Sequence, residues 1–108
     1  MKIKAVTDEY IEFTNGNKIT YSHLHDCCED NYADFRQIEE SAFDYEFTEP
    51  LVFEMAKDQG FRFGNYKYVS NMYFIPCYSY QNGYYSTDLE IHYSGDCVLR
   101  TTCEEWFR

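Results

Sequence analysis

Proline is scarce in this chain. Two occur in 108 residues, Pro50 and Pro76, and no Pro-, Gly- or Ser-rich stretch reads as a linker, so residues 1–108 are taken as a single domain. Basic residues are scarce too: nine Lys and Arg stand against nineteen Asp and Glu, a formal net charge of -10 at pH 7. Phosphates would meet a repulsive field, so direct nucleic-acid binding and docking on an anionic membrane are both disfavoured. No run approaches the ~18 apolar residues of a membrane span, and the opening residues, Met1 to Tyr10, lack the apolar core of a secretory signal. The cysteines, Cys27, Cys28, Cys77, Cys97 and Cys103, are odd in number. Without a signal, that count favours free thiols in a reducing cytosol, hence a cytoplasmic protein without a disulfide framework.

What the chain does have is rings. Aromatics make up 20% of the residues, with 12 Tyr and 9 Phe, which argues against disorder despite the charge. Asn15-Gly16 between alternating segments predicts a hairpin, because both residue types tolerate positive φ. Asp26-Cys27-Cys28-Glu29 has the form of a capping box, an acceptor followed three residues later by Glu. Cys28, Tyr32, Phe35, Ile38 and Ala42 follow at near-helical spacing, which predicts one helix over about residues 27–40. Leu51 to Ala56 fits either a strand or a helical turn, and Gly60 and Gly64 mark a turn-rich stretch. Tyr66 to Tyr80 predicts a long aromatic strand bent at Pro76, and Gln81-Asn82-Gly83 a second hairpin. Tyr84 to Ser94 alternates most clearly, with Leu89, Ile91 and Tyr93 on one face and Glu90 and His92 on the other. Ser94-Gly95-Asp96 predicts a turn before a last strand, Cys97 to Cys103. The expected fold class is α+β: an antiparallel β-meander sheet with the 27–40 helix packed on it.

Two phrases, Asp26-Cys27-Cys28-Glu29 after His25 and Asn82-Gly83-Tyr84-Tyr85-Ser86, resemble a small domain of unknown function found in phages and their bacterial hosts. The resemblance spans roughly residues 5 to 93 and departs at Gln81, where the pattern has Ser, and at Thr87, where an acid is usual. It implies a phage or host-interaction setting and no particular reaction.

His23, His25, Asp26, Cys27, Cys28 and Glu29 gather metal-ligand types in seven residues. Zinc prefers Cys and His pairs two to four residues apart. Adjacent cysteines serve one ion poorly, so His25, Cys27 and Cys28 are candidate ligands against a simpler structural role: Asp26 and Glu29 capping a helix, with Cys28 in the core. Cofactors are accordingly expected to be none, with zinc as the exception to test. A Cys–His couple through His25 or His92 would need an activated thiolate. Asp26, Glu29 and Asp30 surround the Cys27–Cys28 pair, and no Lys or Arg stands between Ile19 and Phe35. That field raises a thiol pKa, so an enzyme is the weaker expectation.

Glu29 to Glu49 holds eight acids, Glu29, Asp30, Asp34, Glu39, Glu40, Asp44, Glu46 and Glu49, against Arg36 alone. Such a run is either a solvated face or an electrostatic surface for a basic partner. Tyrosines such as Tyr84 and Tyr85 suit interface hot spots as well as ordinary sheet packing. The expected function is a small acidic, non-enzymatic interaction protein, a phage-derived counter-defence inhibitor binding a basic protein surface such as that of a nucleic-acid-binding host protein, as monomer or homodimer. Its interaction residues would be Glu29, Asp30, Asp34, Glu39, Glu40, Asp44, Tyr84 and Tyr85. The alternative is a small-ligand or metal-binding domain using His25–Glu29 and the Tyr84 strand.

Overall fold

Asn15 and Gly16 reverse the chain as their chemistry dictates. Gly16 takes φ +90°, its N–H reaches the Phe13 carbonyl at 2.9 Å, and the Asn15 side chain accepts from the Asn17 N–H at 3.0 Å. The structure, a computed structural model, describes residues 1–22, 30–65, 72–81 and 86–107. The Asn15–Gly16 turn joins β2 (Tyr10–Phe13) to β3 (Lys18–Ser22), and β1 (Ile3–Val6) pairs antiparallel with β2. Two later strands, β8 (Asp88–Tyr93) and β9 (Asp96–Thr102), complete an antiparallel sheet in the order β1-β2-β3-β8-β9. The β8–β9 loop is two residues long, with both Ser94 (φ 52°) and Gly95 (φ 87°) left-handed, the conformation a tight twisted hairpin requires.

The second sheet grows around the ten-residue strand β7 (Met72–Gln81). Strands β5 (Val52–Ala56) and β6 (Gly60–Gly64) form a hairpin, and β6 pairs antiparallel with the first half of β7, Met72 to Pro76. The second half of β7 is flanked on both edges, by β4 (Asp30–Ala33) antiparallel and by β10 (Glu104–Phe107) parallel. Pro76 sits where the neighbours change. Its carbonyl accepts from the Asp34 N–H at 2.9 Å just beyond the β4 ladder, where its own missing N–H interrupts little. Gly60 faces Pro76 so closely that a Cβ there would lie 2.1 Å from the Ile75 carbonyl oxygen.

The two inner faces bury one core. Ile11, Phe13, Ile19, Leu89 and Ile91 come from the first sheet, and Ala33, Phe61, Phe63, Ile75 and Cys77 from the second. Phe47, from the segment before β5, is fully buried between them, 5.5 Å from the Phe13 ring and 5.6 Å from Phe63. A buried polar knot fastens β4 and β7 to the lead into β8. Ser79 Oγ donates to Asn31 Oδ1, Asn31 Nδ2 donates to the carbonyls of Ser86 (2.9 Å) and Asp88 (3.1 Å), and Gln81 Nε2 donates to Ser79 Oγ (2.7 Å).

The fold is therefore all-β, which corrects the α+β expectation. Residues 30–40 of the expected helix form β4 and a 3₁₀ turn at Phe35–Gln37, and a second 3₁₀ turn follows at Glu40–Asp44. Two causes stand behind the correction. In β4 the inward residues are Asn31 and Ala33, so the strand's period of two carries no apolar signature. Phe35, Ile38 and Ala42 are all buried, and 3₁₀ turns produce the same three-to-four-residue spacing as an α-helix. The meander is also corrected: β7 and β8 lie in different sheets, so the chain crosses between layers after Gln81. Leu51 to Ala56 resolves as a strand, and Gly60 and Gly64 bound a buried strand. The proposed capping box lies outside the described residues. No helix among the described residues is long and apolar enough to cross a membrane.

Candidate interaction surface

The outer face of the second sheet is where the rings gather. Alternation along β7 sends Ile75, Cys77, Ser79 and Gln81 inward, and Phe74, Tyr78 and Tyr80 outward. Register then sets Tyr32 of β4 opposite Tyr78, and Trp106 of β10 opposite Tyr80. Tyr32 lies 5.8 Å from Tyr78 and stacks on Tyr80 at 6.2 Å, with ring planes 8° apart. Tyr80 stacks in turn on Trp106 at 6.5 Å. Trp106 is 47% exposed, Tyr80 37% and Phe74 36%, so half a tract of large rings faces solvent. Solvent-exposed rings placed contiguously mark interaction sites more often than scattered ones do.

Carboxylates rim the tract. Asp30 is exposed at the start of β4 beside Tyr80, and Glu104 stands opposite Tyr78 on β10. Asp34 Oδ2 accepts from Gln37 Nε2 at 2.8 Å, and the same amide reaches the Tyr78 hydroxyl at 3.0 Å. Burial, a hydrogen bond with Tyr80 and the charges of Asp34 and Asp30 push the Tyr32 phenol well above its usual range. It therefore stays neutral at any physiological pH. A shallow cleft of about 400 Å³ opens among Gln37, Gln59, Phe74, Pro76, Tyr78 and Glu104. The strands β4, β7 and β10 contain no Lys or Arg. One guanidinium already lies on this sheet: Arg62 of β6 sits 5.9 Å from the Phe74 ring centroid, 3.6 Å from Glu54.

Of the acids singled out in the sequence, Asp30 and Asp34 border these rings. Glu39, Glu40 and Asp44 are exposed; Glu39 precedes and Glu40 and Asp44 bound the second 3₁₀ turn, which packs against β1 rather than on the aromatic face. Glu49 is a structural acid. Its Oε1 accepts from Asn15 Nδ2 (2.6 Å), Asn17 Nδ2 (2.8 Å) and the Tyr93 hydroxyl (2.7 Å), and these bonds hold its pKa below the ordinary range. Glu46 is likewise engaged, with the Met1 ammonium at 2.9 Å. Glu29, Tyr84, Tyr85, His25, Cys27 and Cys28 lie outside the described residues.

Sequence reasoning missed Trp106, Glu104 and Phe74, and placed Tyr32 in a helix core. The signal for Trp106 was available, since Glu104-Glu105-Trp106-Phe107 is a ringed, charged terminal segment. Cys77 and Cys103 are buried free thiols, and the Cys77 Sγ lies 3.9 Å from the Ile75 carbonyl oxygen. The neighbouring Cys103 thiol and burial push the Cys77 thiol far up, which disfavours its thiolate. Compared with protein-family models, curated protein sequences and solved structures, the chain shows no match.

Proposed function

We propose that this chain is a non-enzymatic interaction protein, and that its binding face is the Phe74–Tyr78–Tyr32–Tyr80–Trp106 tract with Asp30, Asp34 and Glu104 at its rim. The partner is a basic protein surface. The observation that carries the reading is the pairing of exposed stacked rings with strands β4 and β10, whose charged residues are all acidic, around an uncharged β7. Guanidinium and ammonium groups lie favourably on ring faces, each such contact contributing ~0.5–1 kcal/mol when exposed and about 2 when desolvated. The carboxylates add long-range attraction and register. Arg62 on Phe74 is the intramolecular version of the contact. A nucleic-acid-binding host protein presents the required surface, because a patch evolved for phosphates also attracts carboxylates. The resemblance of the Asp26–Glu29 and Asn82–Ser86 phrases to a phage-associated domain favours a counter-defence setting in the cytoplasm of the host.

Trp106 is the only tryptophan in the chain, so its fluorescence reports directly on the face. Titration with an arginine-rich peptide should change the emission saturably, and added salt should weaken the effect as the Debye length falls from ~10 Å at 0.1 M to ~3 Å at 1 M. Asp30→Asn with Asp34→Asn should weaken binding, whereas Glu39→Gln with Glu40→Gln should slow association only modestly. Equal losses from the two pairs, or an emission indifferent to the peptide, would overturn the proposal.

A further inference from the structure

The other sheet carries a second cluster on its own outer face. Leu89 and Ile91 of β8 point into the core, so Glu90 and His92 point outward, side by side. Across the hairpin, β9 contains a bulge. Ile91 pairs with Leu99, but the next residue, His92, pairs with Cys97, so β9 has one extra residue between these pairs. In an unbroken ladder Val98 would face His92, and Cys97 would face Tyr93 on the inner side. The bulge moves the thiol outward beside the imidazole, the re-aiming that bulges commonly perform. The result is a carboxylate oxygen, an imidazole nitrogen and a sulfur all within 4.8 Å of one another.

We propose that Glu90, His92 and Cys97 bind a borderline-soft transition-metal dication, for which Zn²⁺ is the best match. The three donor types are those zinc takes, with bonds near 2.0–2.3 Å. Tetrahedral angles then require donors about 3.3–3.6 Å apart. His92 Nε2 and Glu90 Oε1 already stand 3.5 Å apart. The Glu90 carboxylate is held from behind, since its Oε2 accepts from Arg100 at 2.6 Å, which leaves Oε1 for the ion. Side-chain rotation of Cys97, which is exposed, closes the remaining gap. Ser22 Oγ lies 2.9 Å from His92 Nε2 and gives up that hydrogen bond when the ion binds. The Cys97 thiol releases its proton to solvent as the S–metal bond forms, so charge and atoms balance without a redox step. Three protein ligands leave a fourth position to water. This site lies on the other sheet from the aromatic face, and its donors are not the His25, Cys27 and Cys28 to which sequence spacing directed attention.

Co²⁺ is the probe, because a cobalt–thiolate bond produces a charge-transfer band that oxygen and nitrogen ligands do not. Co²⁺ added to the full chain should give this band with one-to-one saturation, and Zn²⁺ should abolish it. Cys97→Ser should remove the band, and His92→Ala should weaken binding more than ~100-fold, beyond the 10–100-fold typical of groups that only support a ligand. Cys97 is exposed, so its serine variant keeps the fold, which circular dichroism would verify. The double variant Cys27→Ser with Cys28→Ser should retain the band. Absence of a thiolate band in the unaltered chain would overturn the proposal. So would a band that survives Cys97→Ser and is lost in the Cys27, Cys28 double variant.

Discussion

Replacing Phe47 by alanine should destabilise this protein more than any change in the surrounding loop. The ring is fully buried, and it touches Phe13 of one sheet and Phe63 of the other, with Tyr45 at 4.7 Å and Tyr73 at 5.9 Å completing its shell. An aromatic side chain buries about 150–250 Å². At ~25 cal/mol/Å² the transfer term alone reaches roughly 4–6 kcal/mol, of which alanine retains a small part. That area is an upper bound, because the unfolded chain already buries part of it, while the cavity left among four rings works the other way; the range typical of buried Phe→Ala changes, about 3–5 kcal/mol, is the expected cost. Against a total stability on the order of 5–15 kcal/mol, that is a large fraction. The melting midpoint should fall by roughly 10–25 °C, read by circular dichroism. Phe43, four residues earlier and 41% exposed, supplies the control, and Phe43→Ala should change stability by no more than about 1 kcal/mol. Equal effects of the two substitutions would refute the placement of Phe47 between the sheets and, with it, the two-layer architecture.

Further outcomes follow from the same physics. Gly60→Ala should be strongly destabilising, because its Cβ would meet the Ile75 carbonyl oxygen at 2.1 Å and the backbone φ is +144°; urea unfolding would measure it. Asn31→Ala should cost about 1–3 kcal/mol, since the Ser86 and Asp88 carbonyls and the Ser79 hydroxyl each lose a partner in the knot joining the sheets. Glu49 has a carboxyl pKa lowered by its hydrogen bonds from Tyr93, Asn17 and Asn15, so its stabilisation is complete above the ordinary carboxylate value of ~4.3 and is lost as pH falls through the lower folded value. The stability difference between wild type and Glu49→Gln should therefore be constant from pH 7 to about 5 and shrink in more acid solution, as a series of urea midpoints would show.

Some of this architecture is legible in the sequence because local chemistry and tertiary structure agree. Asn15-Gly16 and Ser94-Gly95 form turns where their residue types say they should, and Leu89, Ile91 and Tyr93 face the core side of β8 as their alternation predicts. The segment after Asp30 is misleading because its two signals conflict. Asn31 is a polar residue turned inward, made tolerable by partners that lie 48 to 57 residues away in sequence. Phe35, Ile38 and Ala42 show helical spacing, but they belong to successive short turns laid over the core. Glycine likewise has two meanings. Gly60 was legible as a turn signal, while its actual constraint is the proximity of β7.

The site residues divide in the same way. Acidity is visible in composition, but which acids are free is a tertiary matter: Glu49 and Glu46 are tied internally, whereas Asp30 and Asp34 border the rings. The aromatic tract needs three strands from distant parts of the chain to meet, and the parallel β7–β10 pairing that brings Trp106 to Tyr80 has no local sequence signature. The Glu90–His92–Cys97 cluster depends on a one-residue bulge, a feature that alternation alone would place on the wrong face.

The central claim is that the acid-rimmed aromatic face of the second sheet receives basic side chains. Amide chemical-shift mapping of the ¹⁵N-labelled protein with an arginine-rich peptide tests it most directly. The account predicts shifts concentrated in β4, in Tyr78–Gln81 and in β10, with the Trp106 indole N–H among the largest, and all of them diminishing in high salt. Shifts confined to the first sheet, or following Glu39, Glu40 and Asp44 while Trp106 stays unmoved, would contradict it.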